Sequence, residues 1–351
     1  MGLLPRLVFS RRALEKNYKR LAELSWPAEC GSVVKANAYG LGVDWVVPCL
    51  SSAGCSTFFV SHPEEGVEVR KLAPQAVIFV FHGLSGHKKE LFLNYNLRPC
   101  ANSIKEFQYC RQVNLLPALH VDTGMNRLGI KKTQAVSNLN DASLIMTHLA
   151  CSDEPENCMN YDQEQAFLEW VSKNNARKLK KSVLNSGGIF CRRLARFDLT
   201  RPGISLYGCS SGMGQGNQMT PVFFWEAPIL AINEVRPGES VGYGATYDVN
   251  DNRLLATVAT GYADGYSRSL SGKGWMLLND VKCPVIGRVS MDLTTIDVTE
   301  ALASSNNPIQ TGAMVKVVGS KLSIDILANI AGTINYELLT GLGQRFEKIV
   351  E

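Results

Sequence analysis

The sequence lacks the features that would place the chain in a membrane or in a disulfide-bonded secreted protein. It contains no run of about 18 apolar residues, so no transmembrane helix is predicted. Residues Met1–Arg12 have no apolar core of the signal-peptide kind. The ten cysteines form no Cys-x-x-Cys pairs, which disfavours a disulfide framework and a structural zinc site. We expect reduced thiols in a cytoplasmic protein.

The charge distribution lacks a strong bias. The formal net charge is +4 for 351 residues and no long basic block occurs, so a nucleic-acid partner is not expected. Hydrophobic residues make up 45% and charged residues 19%, a balance typical of globular proteins and not of disordered ones. The length is sufficient for two domains with sizeable cores.

Short apolar runs alternate with amphipathic stretches from the start of the chain to about residue 210. Leu14, Tyr18 and Leu21 recur at helical spacing after a candidate N-cap at Ser10. The apolar runs are typical of buried parallel strands. They are Ser32–Lys35, Thr57–Ser61, Ala76–Phe81, Leu97–Ala101, Ala118–Asp122, Ser143–His148, Ser182–Ser186 and Ile204–Gly208.

Eight runs is the number that a closed (β/α)8 barrel requires. An open doubly wound sheet is the alternative, because one misread strand would change the count. The barrel is favoured by polar side chains that follow the ends of different runs, since a barrel gathers such positions on one rim. These side chains are Lys35, His82, Asp122, His148 and Ser186.

The pattern changes at Ser210–Gln218, a segment rich in Gly, Ser and Gln that predicts a linker. Two later segments, Ser323–Ala331 and Asn335–Leu342, predict helices. We therefore predict a barrel domain at residues 1–218 and a mainly β domain at residues 219–351. Alternating segments separated by turn residues predict the antiparallel strands of the second domain: Ile229–Val235, Leu254–Thr260, Trp275–Leu278, Cys283–Val289 and Met314–Val318.

The segment Val33–Gly42, with the sequence VVKANAYGLG, places Lys35 at the end of an apolar strand. Desolvation there would lower the pKa of the amine, which suits Schiff-base chemistry. Taken alone, a lysine at a strand end is more commonly one that extends its amine into solvent.

Val33–Gly42 resembles the cofactor-lysine signature of the alanine racemase family, pyridoxal-phosphate enzymes that join a (β/α)8 TIM-type barrel to a mainly β C-terminal domain. The resemblance implies interconversion of L-alanine and D-alanine, which supplies D-alanine for peptidoglycan. Further segments resemble other motifs of the family, in the same order along nearly the whole chain. They are Val121–Gly129, Met146–His148, Asn185–Ser186, Arg201–Gly208, Val241–Gly244, Gly261–Tyr266, Gly287–Asp292 and Thr333–Glu337.

By this resemblance Lys35 binds pyridoxal phosphate as a Schiff base, and Tyr243 is the second acid/base. Two bases on opposite faces can remove and return the α-proton without moving the substrate. Lysine and tyrosine normally titrate near about pH 10, so bases of these types need an environment that lowers the pKa. Without the resemblance, Tyr243 would be interpreted as an aromatic residue of a β-turn.

The resemblance also implies how the rest of the cofactor is held. The Arg201 guanidinium faces the pyridine nitrogen and keeps it unprotonated, since arginine can donate but not accept a hydrogen bond. Without the family, a salt bridge at the barrel rim is the commoner role of an arginine. His148 packs against the ring. The phosphate is bound by Tyr39, Ser186, Gly203, Ile204 and Tyr336, and no metal is expected.

For the substrate, the resemblance assigns Arg127 and Met291 to the carboxylate and Tyr262 to the entrance of the pocket. Tyr262 and Tyr266 would narrow that entrance, which fits a methyl side chain. Tyr243, Tyr262 and Met291 would reach the cofactor of the other subunit, which implies a head-to-tail homodimer with shared sites.

His120 departs from the family pattern. The family often has a lysine there, which can be carbamylated and then holds the arginine at position 127. A neutral imidazole can accept one hydrogen bond from Arg127 but supplies no negative charge, so another anion such as chloride is a candidate for that space.

Three alternatives are weighed against alanine racemisation. A decarboxylase of basic amino acids shares the architecture but needs a Cys-Asp-Gly-type element, which Gly287–Asp292 does not resemble. A racemase of serine or of broader specificity is the second. The third is a non-catalytic pyridoxal-phosphate carrier, but such carriers resemble the barrel alone and need no second base.

Overall fold

The computed structural model describes residues 4–84, 86–212, 219–304 and 310–351. The chain divides into two compact units. One is Ala13–Thr220, and the other combines Met1–Arg12 with Pro221–Glu351.

The first unit contains a closed barrel of parallel strands. Hydrogen bonding runs continuously from Ser32–Val33 to Lys181–Ser182. The barrel closes through Leu199–Thr200, which pairs in parallel with Glu29–Cys30, and the Arg201 N–H donates to the Leu184 carbonyl at 2.9 Å. The predicted barrel is therefore confirmed. Its strands are Glu29–Cys30 continued by Ser32–Val33, then Thr57–Val60, Val77–Val80, Arg98–Ala101, Ala118–Asp122, Leu144–Met146, Lys181–Ser182 and Leu199–Thr200.

These strands form because their residues can be buried on both faces. All residues of Thr57–Val60 and of Ala118–Asp122 are buried, as expected for parallel strands covered by helices. The first helix of the unit, Arg11–Ser25, buries Leu14, Tyr18 and Leu21 as the helical spacing predicts. The other right-handed α-helices are Val43–Ser52, Pro63–Leu72, Lys89–Asn94, Ile104–Gln112, Cys158–Lys173 and Ser186–Phe190. The short segment Lys35–Tyr39 is a turn with positive φ values.

The strand predicted at Ile204–Gly208 is wrong. Ile204–Tyr207 is a 3-10 helix that ends at Gly208, whose φ is 80°. The eighth strand is the preceding Leu199–Thr200. A short apolar run buried on all sides has no periodicity that distinguishes a strand from a helical turn, and here the run follows Pro202, which lacks the N–H that a strand would use.

The second unit is mainly β, as predicted, and is built on a mixed sheet. Its helices are Thr299–Ala303, Ile324–Ala331 and Asn335–Thr340. Its strands are Arg6–Phe9, Phe223–Val235, Ser240–Val241, Tyr247–Asp248, Arg253–Val258, Trp275–Leu278, Val281–Pro284, Thr294–Asp297, Met314–Val318 and Glu347–Val350.

The first strand of the chain belongs to this second unit. Arg6–Phe9 pairs antiparallel with Phe223–Val235 and parallel with Glu347–Val350. The sequence prediction placed these residues in the barrel domain, because they directly precede the first barrel helix. Of the linker predicted at Ser210–Gln218, residues 213–218 lie outside the described residues.

Two further observations concern membranes and thiols. No helix in the described part of the chain is long and apolar enough to cross a bilayer. The ten cysteines are free thiols, and Cys158 is exposed.

Candidate active site

Lys35 follows the strand Ser32–Val33 after one residue, Val34, and is half-buried at the end of the barrel. The strand is fixed on one side because the Val33 N–H donates to the Pro202 carbonyl at 2.8 Å. Burial and the neighbouring positive charge of Arg127 lower the pKa of Lys35, while Glu65 opposes the shift. The neutral amine, which is the nucleophilic and basic form, is therefore more populated at Lys35 than at an exposed lysine.

The turn after Lys35 is left-handed. Ala36, Asn37, Ala38 and Tyr39 have φ values of 52°, 53°, 54° and 57°. L-residues avoid this conformation at a cost of about 1–2 kcal/mol each, so surrounding hydrogen bonds must maintain it. The Asn37 carboxamide oxygen accepts from the Val43 N–H at 2.8 Å, and the Asn37 carbonyl accepts from the Gly42 N–H at 3.0 Å.

Glu65 connects this turn to the end of the next barrel strand. Its carboxylate accepts the Ala36 N–H at 2.7 Å, the Ser61 N–H at 2.7 Å and the His62 N–H at 3.1 Å. Sequence reasoning did not identify Glu65, because one of its partners, Ala36, is distant in the chain. The carboxylate positions the backbone next to Lys35.

Hydroxyl and backbone N–H groups lie close together beside the strand Ser32–Val33, at the same end of the barrel. Ser186 Oγ accepts the N–H of Gly203 at 2.8 Å and of Ser205 at 3.4 Å. A Cβ atom at position 203 would collide with the phenol oxygen of Tyr39, so a larger residue there would have to displace the Tyr39 side chain. Ser205 Oγ is buried without a hydrogen-bond partner among the described residues. This arrangement suits an anion such as a phosphate group.

Four of the five residues predicted for the phosphate lie in the first unit: Tyr39, Ser186, Gly203 and Ile204. Ile204 is fully buried next to Gly203, at the start of the 3-10 helix. Tyr336 belongs to the second unit, on helix Asn335–Thr340, and is 37% exposed. Its assignment to the phosphate stays a prediction.

Arg201 is a buried cation held by neutral acceptors. Its guanidinium donates to Ser182 Oγ, to the Thr147 carbonyl at 2.6 Å and to the Val183 carbonyl at 3.3 Å. It forms no ion pair with any described carboxylate, unlike the rim salt bridge that is common for arginine. Burial lowers the pKa of Arg201 to about 10, so the side chain stays protonated at neutral pH and can only donate.

His148 follows the strand Leu144–Met146 and its ring is half-buried. Burial and the nearby Arg201 hold the pKa of His148 well below its ordinary value, so the imidazole is neutral. Gln163 fixes the segment, since its amide donates to the His148 carbonyl at 3.0 Å and accepts the Ala150 N–H at 2.8 Å. Gln163 comes from helix Cys158–Lys173 and gave no signal in the sequence.

His120 does not hold Arg127 in this structure. Its Nδ1 lies 2.9 Å from the carboxamide oxygen of Asn102. Arg127 is exposed and forms no hydrogen bond or ion pair with any residue in the described ranges. The loop that carries Arg127 is held instead by Asp122, whose carboxylate accepts the Asn126 N–H at 3.0 Å.

His120 makes stability depend on pH. Burial and the charge of Arg201 lower its pKa from 6.5 to about 4. As the pH falls, the unfolded chain takes up this proton before the folded chain does, so acidification favours unfolding. The stabilisation of the fold by neutral His120 is complete above pH 6.5 and is lost as the pH falls toward 4. The free energy of unfolding should fall by on the order of 3 kcal/mol. Urea unfolding at about pH 7 and about pH 4.5 measures it.

The matched variants are His120→Gln and His62→Gln. The free energy of unfolding should decrease less between the two pH values in His120→Gln than in the wild type. His62→Gln, a change at an exposed position, should show the wild-type decrease. An equal decrease in His120→Gln and wild type would contradict the assignment.

In the second unit, Tyr243 lies on the turn between the paired strands Ser240–Val241 and Tyr247–Asp248. It is 73% exposed. The glycines on either side have φ values of 76° and 75°, a region that other residues rarely adopt. The turn therefore presents the phenol at the surface of its own unit.

Tyr262 and Met291 are neighbours on the same unit. The Ala263 N–H donates to the Met291 carbonyl at 2.9 Å, and both side chains are about half exposed. Asp264 and Arg345 support this turn, since the Asp264 carboxylate accepts the Gly261 N–H at 3.0 Å and pairs with Arg345 at 3.0 Å. Neither supporting residue was identified from the sequence.

The expectation that Tyr266 narrows the entrance is wrong. Tyr266 is 1% exposed and its ring packs edge-on against Trp225 at 6.1 Å between ring centroids. The residue belongs to the core of the second unit, and its position in a glycine-rich motif did not reveal this.

Comparison with known proteins shows the family to which the chain belongs. Residues 9–211 match the family model "Alanine racemase, N-terminal domain" and residues 222–350 match "Alanine racemase, C-terminal domain". Curated alanine racemases of Methylobacterium nodulans and of another Methylobacterium species are 39% and 40% identical over 98% of this chain, covering 95% and 96% of their own lengths. The crystal structure of alanine racemase from Bartonella henselae with covalently bound pyridoxal phosphate is 32% identical, has a TM-score of 0.91 and covers 100% of both chains. The chain therefore belongs to the alanine racemase family.

Proposed function

We propose that the protein interconverts L-alanine and D-alanine with pyridoxal phosphate, in the cytoplasm, and so supplies D-alanine for peptidoglycan. The observation that carries the proposal is the grouping of three features in the barrel: a desolvated lysine, an anion cradle and a buried arginine. Lys35 and the cradle are adjacent because the backbone of Val33 is hydrogen-bonded to Pro202, next to Gly203.

The residues fit this cofactor. Ser186, Gly203 and Tyr39 offer the hydroxyl and N–H groups that a phosphate needs, and Tyr336 is proposed to join them. Arg201 offers a donor to the ring nitrogen, and neutral His148 offers a flat face. When bound, the cofactor supplies the electron sink that makes the α-hydrogen of an amino acid acidic.

The protein's own task is then to move protons. Lys35 removes or returns the α-proton on one face of the substrate, and its lowered pKa makes the neutral amine available. Tyr243 of the partner subunit acts on the opposite face. We assign Lys35 to the D-enantiomer and Tyr243 to the L-enantiomer.

The shared site requires a head-to-tail homodimer. Its support is the exposure of Tyr243, Tyr262 and Met291, which are 73%, 43% and 53% exposed within one chain. Large exposed side chains of this kind are enriched where proteins associate. Met291 and Arg127 would bind the substrate carboxylate, and Tyr262 would restrict the pocket to a small side chain.

Incubation of the holoenzyme with L-alanine in deuterium oxide tests the proposal. We expect D-alanine that carries deuterium at Cα, with serine converted more slowly. A pyridoxal-phosphate carrier would bind the cofactor without changing the optical rotation. Absence of racemisation with alanine and with other small amino acids would refute the proposed function.

Arg201 should control the outcome of the reaction. If Arg201 donates to the ring nitrogen of the bound cofactor, it would make that ring a weaker electron sink and so would limit transamination. Arg201→Glu should raise the ratio of transamination to racemisation, measured as pyruvate formed per alanine inverted. Arg201→Lys, which keeps a donor, should change the ratio less. An unchanged ratio in a folded Arg201→Glu protein would count against this role.

A further inference from the structure

Three of the five histidines of the chain converge beside the barrel end. His62 follows the strand Thr57–Val60, and His82 and His87 follow the strand Val77–Val80. Their ligand nitrogens all lie within 4.8 Å of one another. The rings of His62 and His82 are 4.3 Å apart between centroids and nearly perpendicular, at 73°.

The backbone of each histidine is fixed, while the side chains remain accessible. The His82 N–H donates to the Ser61 carbonyl at 3.1 Å and the His87 N–H donates to the Leu84 carbonyl at 2.9 Å. The His62 N–H donates to the Glu65 carboxylate at 3.1 Å. His62 and His82 are exposed and His87 is half-buried. Within the described ranges, no carboxylate forms an ion pair with any of the three. The three imidazoles therefore lie close together outside the barrel core, where a ligand from solvent can reach them.

The distances suit one transition-metal ion. Zinc–imidazole bonds are about 2.0–2.1 Å long, so two nitrogens bound to one ion are at most about 4.2 Å apart. Small rotations of the exposed rings close the remaining gap. Metal binding requires neutral imidazoles.

We propose that His62, His82 and His87 bind one divalent transition-metal ion of the zinc, nickel or copper class. Imidazole ligands favour these ions over magnesium and calcium, which prefer oxygen ligands. Three protein ligands leave a coordination position for water or another small ligand. The cysteine spacing of the sequence gave no sign of this site, because its ligands are imidazoles separated along the chain.

Calorimetric titration of the tag-free holoenzyme with zinc chloride tests the proposal. We expect one ion per chain in addition to any thiol-bound zinc. Substitution of alanine for any one histidine should weaken this binding by more than about tenfold, since losing even an outer partner of a ligand typically costs 10–100-fold. Lys89→Ala, a nearby exposed change, should bind zinc like the wild type. Wild-type affinity in the triple variant, or no binding to the wild type, would refute the site.

A second measurement does not depend on variants. Crystals of the wild-type holoenzyme soaked in zinc chloride should give an anomalous difference peak among the three imidazoles at the zinc absorption edge. A peak only elsewhere, for example at the exposed Cys158, or no peak at all would overturn the proposal.

Discussion

Replacement of Tyr243 by phenylalanine should reduce alanine racemisation by about 10²–10⁴-fold, the usual contribution of a general acid or base. The variant keeps Lys35, so D-alanine should still exchange its α-hydrogen with deuterium oxide while L-alanine should not. Nuclear magnetic resonance of each enantiomer follows the exchange, and chiral chromatography follows inversion.

Tyr247 provides the matched control for this prediction. It lies on the neighbouring strand Tyr247–Asp248 and has no proposed role in proton transfer, so Tyr247→Phe should retain racemisation. Equal loss of exchange for both enantiomers in Tyr243→Phe would contradict the assignment of one base to each face.

Lys35→Ala should have the largest effect, because it removes both the covalent attachment of the cofactor and one base. Racemisation should fall by about 10⁴-fold or more, the product of two such losses. Borohydride reduction should no longer fix the cofactor to the chain, as measured by intact mass. Lys132→Ala, at an exposed site, should retain both properties, and cofactor still fixed to Lys35→Ala would identify a different lysine.

The two variants together test the shared site. If Lys35 and Tyr243 of one site come from different subunits, a mixed dimer of Lys35→Ala and Tyr243→Phe chains has one intact site. After random reassociation of equal amounts, half of the dimers are mixed, so about a quarter of wild-type activity should return. If both groups came from the same chain, mixing would restore nothing.

The barrel was predictable because its strands are buried on both faces and therefore appear as continuous apolar runs. The same property explains the error at Ile204–Tyr207, a run equally apolar but folded as a 3-10 helix. The strand that closes the barrel, Leu199–Thr200, has two residues and is specified by pairing with Glu29–Cys30. No local pattern encodes a partner that distant.

The candidate site also contains some residues that a local sequence pattern reveals and others that it does not. Groups with a local motif, such as Lys35 in VVKANAYGLG and Arg201 before Pro202-Gly203, were predicted from the sequence by their resemblance to the family. Glu65 and Gln163 were missed because each acts on backbone groups of another segment.

The strand Arg6–Phe9 has a consequence for synthesis on the ribosome. It leaves the exit tunnel before the barrel, but Glu347, the parallel partner of Arg6 in the sheet, is translated 341 residues after Arg6. The barrel residues emerge in between and can fold as translation proceeds. During that time the strand has unpaired N–H and carbonyl groups that can pair with other chains. Its charged residue, Arg6, and its short length limit this hazard until the sheet is complete.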